Sequence, residues 1–146
     1  MKQSVIDKAT SNFDEGYACS QALLCAFSGE CGIDEMTAKR ISSVFGGGMG
    51  RLREKCGALT GAFMVLGYLY GNTDPKDMKT KLSSYEKVRD LNAKFEQIHG
   101  TTMCGELLKK HASSDEVAER KHHTIICRKA VGDAAAILYD MIHAES

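Results

Sequence analysis

Residues 51–71 read RLREKCGALTGAFMVLGYLYG, and this stretch decides the fold. Small residues follow its cysteine, and a nearly continuous apolar run follows them. Because the run is apolar on all sides, it predicts a helix buried in the middle of a bundle. Gly57 and Gly61 are four residues apart, so they share one face and allow a neighbouring helix to approach closely. We expect Cys56 in the first turn, where free amides and the helix dipole favour a thiolate, and Gly71 as the C-terminal glycine cap.

The composition indicates one all-α domain over residues 1–146. The chain has a single proline and shows no β-branched alternation, and its length is sufficient to bury a core. We therefore predict an all-α, compact single-domain helical bundle of about five to six helices around the buried central helix. The small-residue face of that helix also makes a homodimer possible.

Charge and hydropathy exclude several classes of partner. The 19 basic and 19 acidic residues balance, which argues against nucleic acid as a partner. The first ten residues lack the apolar core of a signal peptide, and no apolar segment is long enough to span a bilayer. We expect a cytoplasmic protein without membrane insertion, in which thiols stay reduced and metal or redox roles are favoured over structural disulfides.

The spacing of apolar residues predicts the other helices. A short helix covers residues 4–9, and a second begins near Tyr17. Asp34 caps a helix through the apolar residues Ala38, Ile41, Val44 and Phe45. Asp74 and Pro75 begin a long helix that ends at Gly100. Its apolar positions are Met78, Leu82, Tyr85, Phe95 and Ile98. Thr102 caps a short helix. Residues 111–123 form an exposed polar segment with a capping box at 113–116. The last helix has an apolar face of Cys127, Val131, Ala134, Leu138 and Ile142.

The sequence GGGMGR, residues 46–51, lies just before the central helix. Consecutive glycines can form an anion-binding concavity, and arginines follow closely. The ending of a P-loop is missing, and no strand precedes the glycines. A tight turn that leads the chain into the central helix is the favoured interpretation, with hydrogen bonds to metal-bound sulfur as a minor alternative.

Four of the six cysteines are predicted at or near helix starts, and we call them the cysteine quartet: Cys19, Cys56, Cys104 and Cys127. Helix N-termini that meet at one end of a bundle would hold four thiolates, which is a sufficient ligand set for an iron–sulfur cluster or for structural zinc. The residues alone do not distinguish these from inert core cysteines, since no short CxxC pair is present. Cys25 is interpreted as a small core residue, and Cys31 as a loop residue able to replace or resolve a quartet thiol.

Other side chains near the quartet have structural and functional interpretations of similar weight. Arg51, Arg53 and Lys55 either lower thiolate pKa values and offset a negative cluster or belong to a solvated turn. His122 and His123 are interpreted as solvent-exposed rather than as metal ligands. His99 is expected to interact with the carbonyls at a helix end.

Four segments carry a resemblance to a known family: ACSQALL, FGGGMGRLREKCGALTGAFMVLGYLYG, TTMCGELL and ICRKAVGDAAAIL. They resemble the bacterial and archaeal redox-active family named for its pattern C_GCAxxG_C_C, from about Phe13 to the end. The resemblance carries the four hallmark cysteines of that family onto the cysteine quartet. A related domain in split-Soret cytochromes is associated with an iron–sulfur centre, which implies iron, although the C-x-x-C-H haem attachment sequence is missing here.

Three hypotheses follow. The leading one is a redox protein whose quartet binds an iron–sulfur cluster and exchanges electrons with an unknown donor or acceptor. The second is a metal-free thiol–disulfide protein or sensor in which two quartet cysteines cycle. The third is a structural zinc module.

Overall fold

The computed structural model describes residues 1–109 and 116–144, with the backbone alone described for residues 116–123. Within these residues there are eight α-helices and no β-strand, if Gly46–Met49, whose two inner glycines are left-handed, is counted as a turn. This confirms the all-α prediction. Six of the helices have eight residues or more, as the predicted five to six require, and the other two are short. In chain order the helices are α1 (Lys2–Asp14), α2 (Cys19–Ala26), α3 (Ser28–Cys31), α4 (Glu35–Ser42), α5 (Gly57–Tyr70), α6 (Met78–His99), α7 (Cys104–Lys109) and α8 (Glu116–His143).

Helix α5 is central and buried, as predicted. Residues 57–62 and 65–66 are all buried. Helix α2 lies against the face that carries Gly57 and Gly61, because a Cβ atom at Gly61 would stand only 2.8 Å from the carbonyl oxygen of Ser20. Helices α6 and α8 also pack against α5. The small-residue face is therefore filled by α2 within the chain, and self-association stays a prediction.

Both ends of α5 differ from the prediction. Cys56 is the N-cap rather than a first-turn residue. Gly71 ends the helix in an extended conformation, with φ −71° and ψ 155°, rather than in a left-handed one. Its amide donates to the carbonyl of Gly67 at 2.8 Å and closes the last turn. The Cys56 thiol thus stands where the preceding loop meets the helix.

Two predicted apolar stripes are only partly buried. In α6, Leu91 and Phe95 are buried, whereas half or more of Met78 and Leu82 is exposed. Successive residues of a helix are about 100° apart, so Leu91 and Phe95 fall on a different face of α6 from Met78 and Leu82. Only one of these faces can lie on the core. Tyr85 and Ile98, about half exposed, and Ile41 and Val44, near the end of α4, are also exposed where burial was expected.

The helix caps agree with the sequence in two cases. The carboxylate of Asp34 accepts a hydrogen bond from the amide of Thr37, and Gly100 ends α6 in the left-handed region. The predicted start of α6 at Asp74 and Pro75 is wrong, because Asp77 is the N-cap and accepts from the amide of Thr80. The residues before Asp77 form a separate turn, in which the carbonyl of Asp74 accepts from the Asp77 amide.

The buried apolar side chains form one connected cluster to which α1, α2, α5, α6 and α8 all contribute. Across the described parts of the chain, every helix is too short or too polar to cross a bilayer. The site described next lies where the start of α5 meets α2, α7 and α8.

Candidate functional site

The structure brings the cysteine quartet to one small cavity. All four cysteines line a space of about 50 Å³, which is large enough for a very few water molecules. The other lining residues are Gly47, Gly48, Arg53, Gly57, Leu107, Leu108 and Ile126. Cysteines that are 108 residues apart in sequence are therefore neighbours in the fold.

Three of the four cysteines occupy helix starts, as predicted. Cys19 is the first residue of α2, Cys56 is the N-cap of α5, and Cys104 is the first residue of α7. Cys127 does not, because α8 begins at Glu116 and its backbone is already helical through 116–126. The polar sequence there hid the continuity of the helix. The predicted stripe below Cys127 is nevertheless correct, since Val131, Ala134 and Leu138 are fully buried and Ile142 is partly buried.

A short antiparallel pairing holds Cys56 beside Cys104. The amide of Cys56 donates to the carbonyl of Thr102 at 2.9 Å, and the amide of Cys104 donates to the carbonyl of Glu54 at 2.6 Å. Lys55 and Met103 form the bridge between these two bonds. The side chain of Lys55 reinforces the pairing by donating to the Thr102 hydroxyl at 2.8 Å and to Asn92 Oδ1 at 2.9 Å. Thr102 thus belongs to this pairing. The hydroxyl that accepts a hydrogen bond before α7, from the Met103 amide, is that of Thr101 and not that of Thr102.

The turn through residues 46–53 packs the chain tightly against Cys104. Gly47, Gly48 and Gly50 are left-handed, and so are three residues that are not glycine: Met49, Arg51 and Arg53. A Cβ atom at Gly48 would lie 2.6 Å from the Cβ of Cys104, so only glycine fits there without movement. The amide of Glu54 donates to the carbonyl of Gly48 at 3.0 Å and fixes the end of the turn. The prediction of a tight turn leading into α5 is confirmed.

Arg53 is the cation that reaches the quartet. Its Nη1 lies 3.6 Å from Cys104 Sγ. Lys55, by contrast, is committed to Asn92 and Thr102, and the side chain of Arg51 is exposed in the turn. Of the three cations near the start of α5, Arg53 alone thus contacts a quartet sulfur among the described residues.

The acidity of Cys19 and Cys56 differs from the expectation for helix starts. Burial raises the pKa of Cys56 to about 12, although amides at the start of α5 act in the opposite direction. A hydrogen bond to Cys127, and then burial, raise the pKa of Cys19 well above its ordinary value. The same hydrogen bond lowers the pKa of Cys127, because Cys19 stabilises its thiolate, and the charge of Arg53 acts in the same direction. Desolvation outweighs the helix terminus at Cys56, so the thiol with a lowered pKa is Cys127 rather than Cys56.

The remaining cysteines lie outside the cavity. Cys25 and Cys31 are both 3% exposed, and burial raises the pKa of each. Cys31 ends the short helix α3 and belongs to the core, so its expected loop position is wrong. This leaves no structural support for Cys31 as a substitute quartet ligand.

The histidines show no link to the quartet within the described side chains. His99 stacks on Phe95, and its Nε2 lies 3.0 Å from Oδ2 of Asp133 on α8, a side-chain contact between helices that was not predicted. The side chains of His122 and His123, and the predicted capping box at 113–116 apart from the backbone of its last residue, lie outside what the structure describes.

The quartet cysteines do not form a ready binding site for a single metal ion. Across the described residues, no three His, Cys, Asp or Glu side chains converge closely enough to hold an ion. A tetrahedral zinc site requires every sulfur to stand about 2.3 Å from the same ion. The quartet as it stands is a set of four thiols around a small space rather than a preformed single-ion site.

The cavity, the quartet and the all-α scaffold define a cysteine-rich helical protein with its thiols at helix junctions. The family described as "Putative redox-active protein (C_GCAxxG_C_C)" matches residues 17–141, and the chain belongs to this family. The match confirms the resemblance seen in the sequence. No curated protein and no solved structure matches the chain.

Proposed function

We propose that this redox-active family member binds an iron–sulfur cluster through the cysteine quartet and uses it for electron transfer. The observation that supports the proposal is that four thiols from four separate segments line one cavity. Four cysteine thiolates are the usual ligand set of such clusters. The family supplies the redox character, and the quartet supplies the ligands.

The chemistry of the cavity fits a cluster better than it fits zinc. In a cluster the thiolates ligate different irons, so their sulfurs need not close on one point, and among the described residues no three ligands do so. Gly48 and Gly57 keep Cβ atoms away from the neighbouring segments, since a Cβ at Gly57 would lie 3.2 Å from that of Cys19. Structural zinc, the alternative cofactor, would require the four sulfurs to close on one point.

The residues of the chain have separate parts in this function. A bound cluster supplies a one-electron couple whose potential depends on charge, hydrogen bonds and solvent exposure. Cys56 and Cys104, 5% and 8% exposed, keep water from the inner side of the cavity. Arg53 places a positive charge against the Cys104 sulfur and offsets the negative charge of the thiolates. Cys19 and Cys127 are partly exposed and form the outer side.

The first test is anaerobic reconstitution with iron and sulfide, followed by metal and sulfide analysis and a visible spectrum. We expect wild-type protein to bind both elements and show charge-transfer absorption. Cys56→Ala should lose most of both, because one of four ligands is missing. Cys25→Ala is the matched control, since it removes a buried thiol outside the cavity and should retain wild-type iron. Wild-type protein without iron or sulfide, or equal loss in both variants, would contradict the proposal.

A second candidate function has its own observation: Cys19 and Cys127 line the same cavity, and each is the largest cause of the shift in the pKa of the other. In metal-free protein these thiols can form a disulfide by reducing glutathione disulfide to two glutathione thiols. The two cysteine sulfurs lose two electrons and two protons, and the oxidant gains them. The lowered pKa of Cys127 provides the attacking thiolate.

This second candidate predicts a defined product. After mild treatment with glutathione disulfide, the intact mass should fall by two hydrogens, and peptide mapping should link Cys19 to Cys127. Cys25 and Cys31 should stay free, because both are buried away from the pair. Cys127→Ser should abolish the mass loss. A stable mixed disulfide with glutathione, or no reaction, would count against a cycling dithiol.

A further inference from the structure

The cavity opens on one side into a larger groove. This groove has a volume of about 700 Å³ and shares Cys19, Cys127 and Arg53 with the cavity. The two cysteines that face it are partly exposed, whereas Cys56 and Cys104 are buried. The groove is therefore the side from which a second molecule reaches the quartet.

The charged side chains that line the groove are positive. Arg51 and Arg53 both line it and are both exposed, and no Asp or Glu of the described residues does so. Asp14, which follows a lining residue in sequence, is held by Arg128 in an ion pair of 2.9 Å, so its charge is already matched. The groove thus offers an anionic molecule the charge of Arg51, with Arg53 beside it in contact with the Cys104 sulfur and no carboxylate on its wall.

The backbone keeps these arginines in place at a cost. Met49, Arg51 and Arg53 have φ values of 67°, 64° and 61°. A residue other than glycine is strained in this left-handed region, and such residues persist where the surrounding structure holds them there, often at functional sites. Val44, just before this turn, also lines the groove and is 70% exposed, so it provides an apolar contact beside the two arginines.

We propose that this groove, which we call the arginine groove, docks the acidic surface of an electron-transfer protein. The proposal rests on the proposed function and names the class of its partner. One electron leaves the reduced protein at the Cys19–Cys127 side and reduces the oxidised centre of the partner, with no bond formed or broken. Complementary charge accelerates and orients such an encounter, and the exposed valine adds a small apolar contact.

The test compares two acceptors that share one redox centre. Native cytochrome c is basic, and its succinylated form carries carboxylates in place of the lysine ammonium groups. We expect the reconstituted, reduced protein to transfer its electron to the succinylated form about threefold or more faster at low salt, with the difference vanishing at high salt. Arg51→Gln should remove much of the preference, because Arg51 lines the groove while Arg53 is the cation that contacts a quartet sulfur. Arg89→Gln removes the same charge from an exposed position on α6 and should leave the preference intact.

A second measurement tests the charge of the arginine groove in metal-free protein. Two methanethiosulfonates, one sulfonated and one carrying trimethylammonium, modify accessible thiols of the reduced metal-free protein. The thiolate forms a mixed disulfide with the reagent and releases methanesulfinate, and peptide mapping gives the rate at Cys19 and Cys127. Relative to the rate ratio measured with a small free thiol, the anionic reagent should be favoured at Cys19 and Cys127, and Arg51→Gln should move the ratio toward the free-thiol value.

The outcomes separate the two proposals. A rate ratio equal to that of the free thiol, or a ratio unaffected by Arg51→Gln, overturns the arginine groove whether or not iron binds. If electron transfer to native cytochrome c is faster than to the succinylated form, the proposal of an acidic partner is overturned. If the protein binds no iron or sulfide but still prefers the anionic reagent, the arginine groove is supported and only the iron–sulfur proposal is contradicted.

Discussion

Replacing Gly61 by Val should destabilise the protein by about 3 kcal/mol, the upper part of the usual range for overpacking a core. The first added atom would already lie 2.8 Å from the carbonyl oxygen of Ser20 and 3.1 Å from the Cβ of Leu23. Both contacts are on α2, and a backbone oxygen cannot rotate away, so α2 has to move from α5. Because Cys19 begins α2, the shift should also open the cavity. We expect a lower midpoint of urea unfolding with an unchanged slope.

Gly67→Val is the matched control for Gly61→Val. Gly67 is on the same helix and is exposed, and a Cβ atom added to it would meet no other atom within 4 Å. Valine is a slightly better helix former than glycine, so this variant should be as stable as wild type or marginally more stable. Gly61→Ala should fall between them, since it adds one carbon and gains helix propensity. If the midpoints at 61 and 67 were equal, the close packing of α2 on α5 would be wrong.

The sequence predicts α5 and its burial because both depend on local information. An apolar run with small residues four apart leaves few alternatives to a buried helix with a close neighbour. Capping also depends on adjacent residues, which is why the predictions for Asp34 and Gly100 are correct. The quartet was selected by position in helices and by family resemblance, and the structure brings its members to one cavity.

The unpredicted features of the site depend on contacts between distant segments. The pairing of Glu54 and Cys56 with Thr102 and Cys104 joins loops about 50 residues apart and has no signal in either one. The acidity of Cys56 depends on how deeply it is buried, which helix position does not fix. Half-exposed Leu82 likewise shows that an apolar residue in a helix does not by itself indicate the buried face.

Replacing Gly48 by Ala should disrupt the site through both backbone strain and a direct clash with Cys104. A left-handed conformation costs a residue with a Cβ about 1–2 kcal/mol. The added atom would also lie 2.6 Å from the Cβ of Cys104 and 2.8 Å from the amide nitrogen of Glu54. Since the Cys104 amide is bonded to the carbonyl of Glu54, both sides of the contact are held, and relief requires moving the paired segments. We expect a total loss of about 2–4 kcal/mol in the free energy of unfolding and a sharp fall in reconstituted iron.

Gly50→Ala separates the clash at Gly48 from the backbone cost. Gly50 is in the same turn and is also left-handed, with φ 60°, but a Cβ atom there would have the carbonyl oxygen of Val44 as its nearest neighbour at 3.8 Å, an ordinary contact. This variant should lose only about 1–2 kcal/mol and should bind iron and sulfide as wild type does. Thiol labelling of metal-free protein should show Cys104 more reactive in Gly48→Ala alone, which tests the geometry independently of any cluster. Equal stability and equal Cys104 reactivity in the two variants would refute the close contact, and the turn would then contribute to the site only through Arg53.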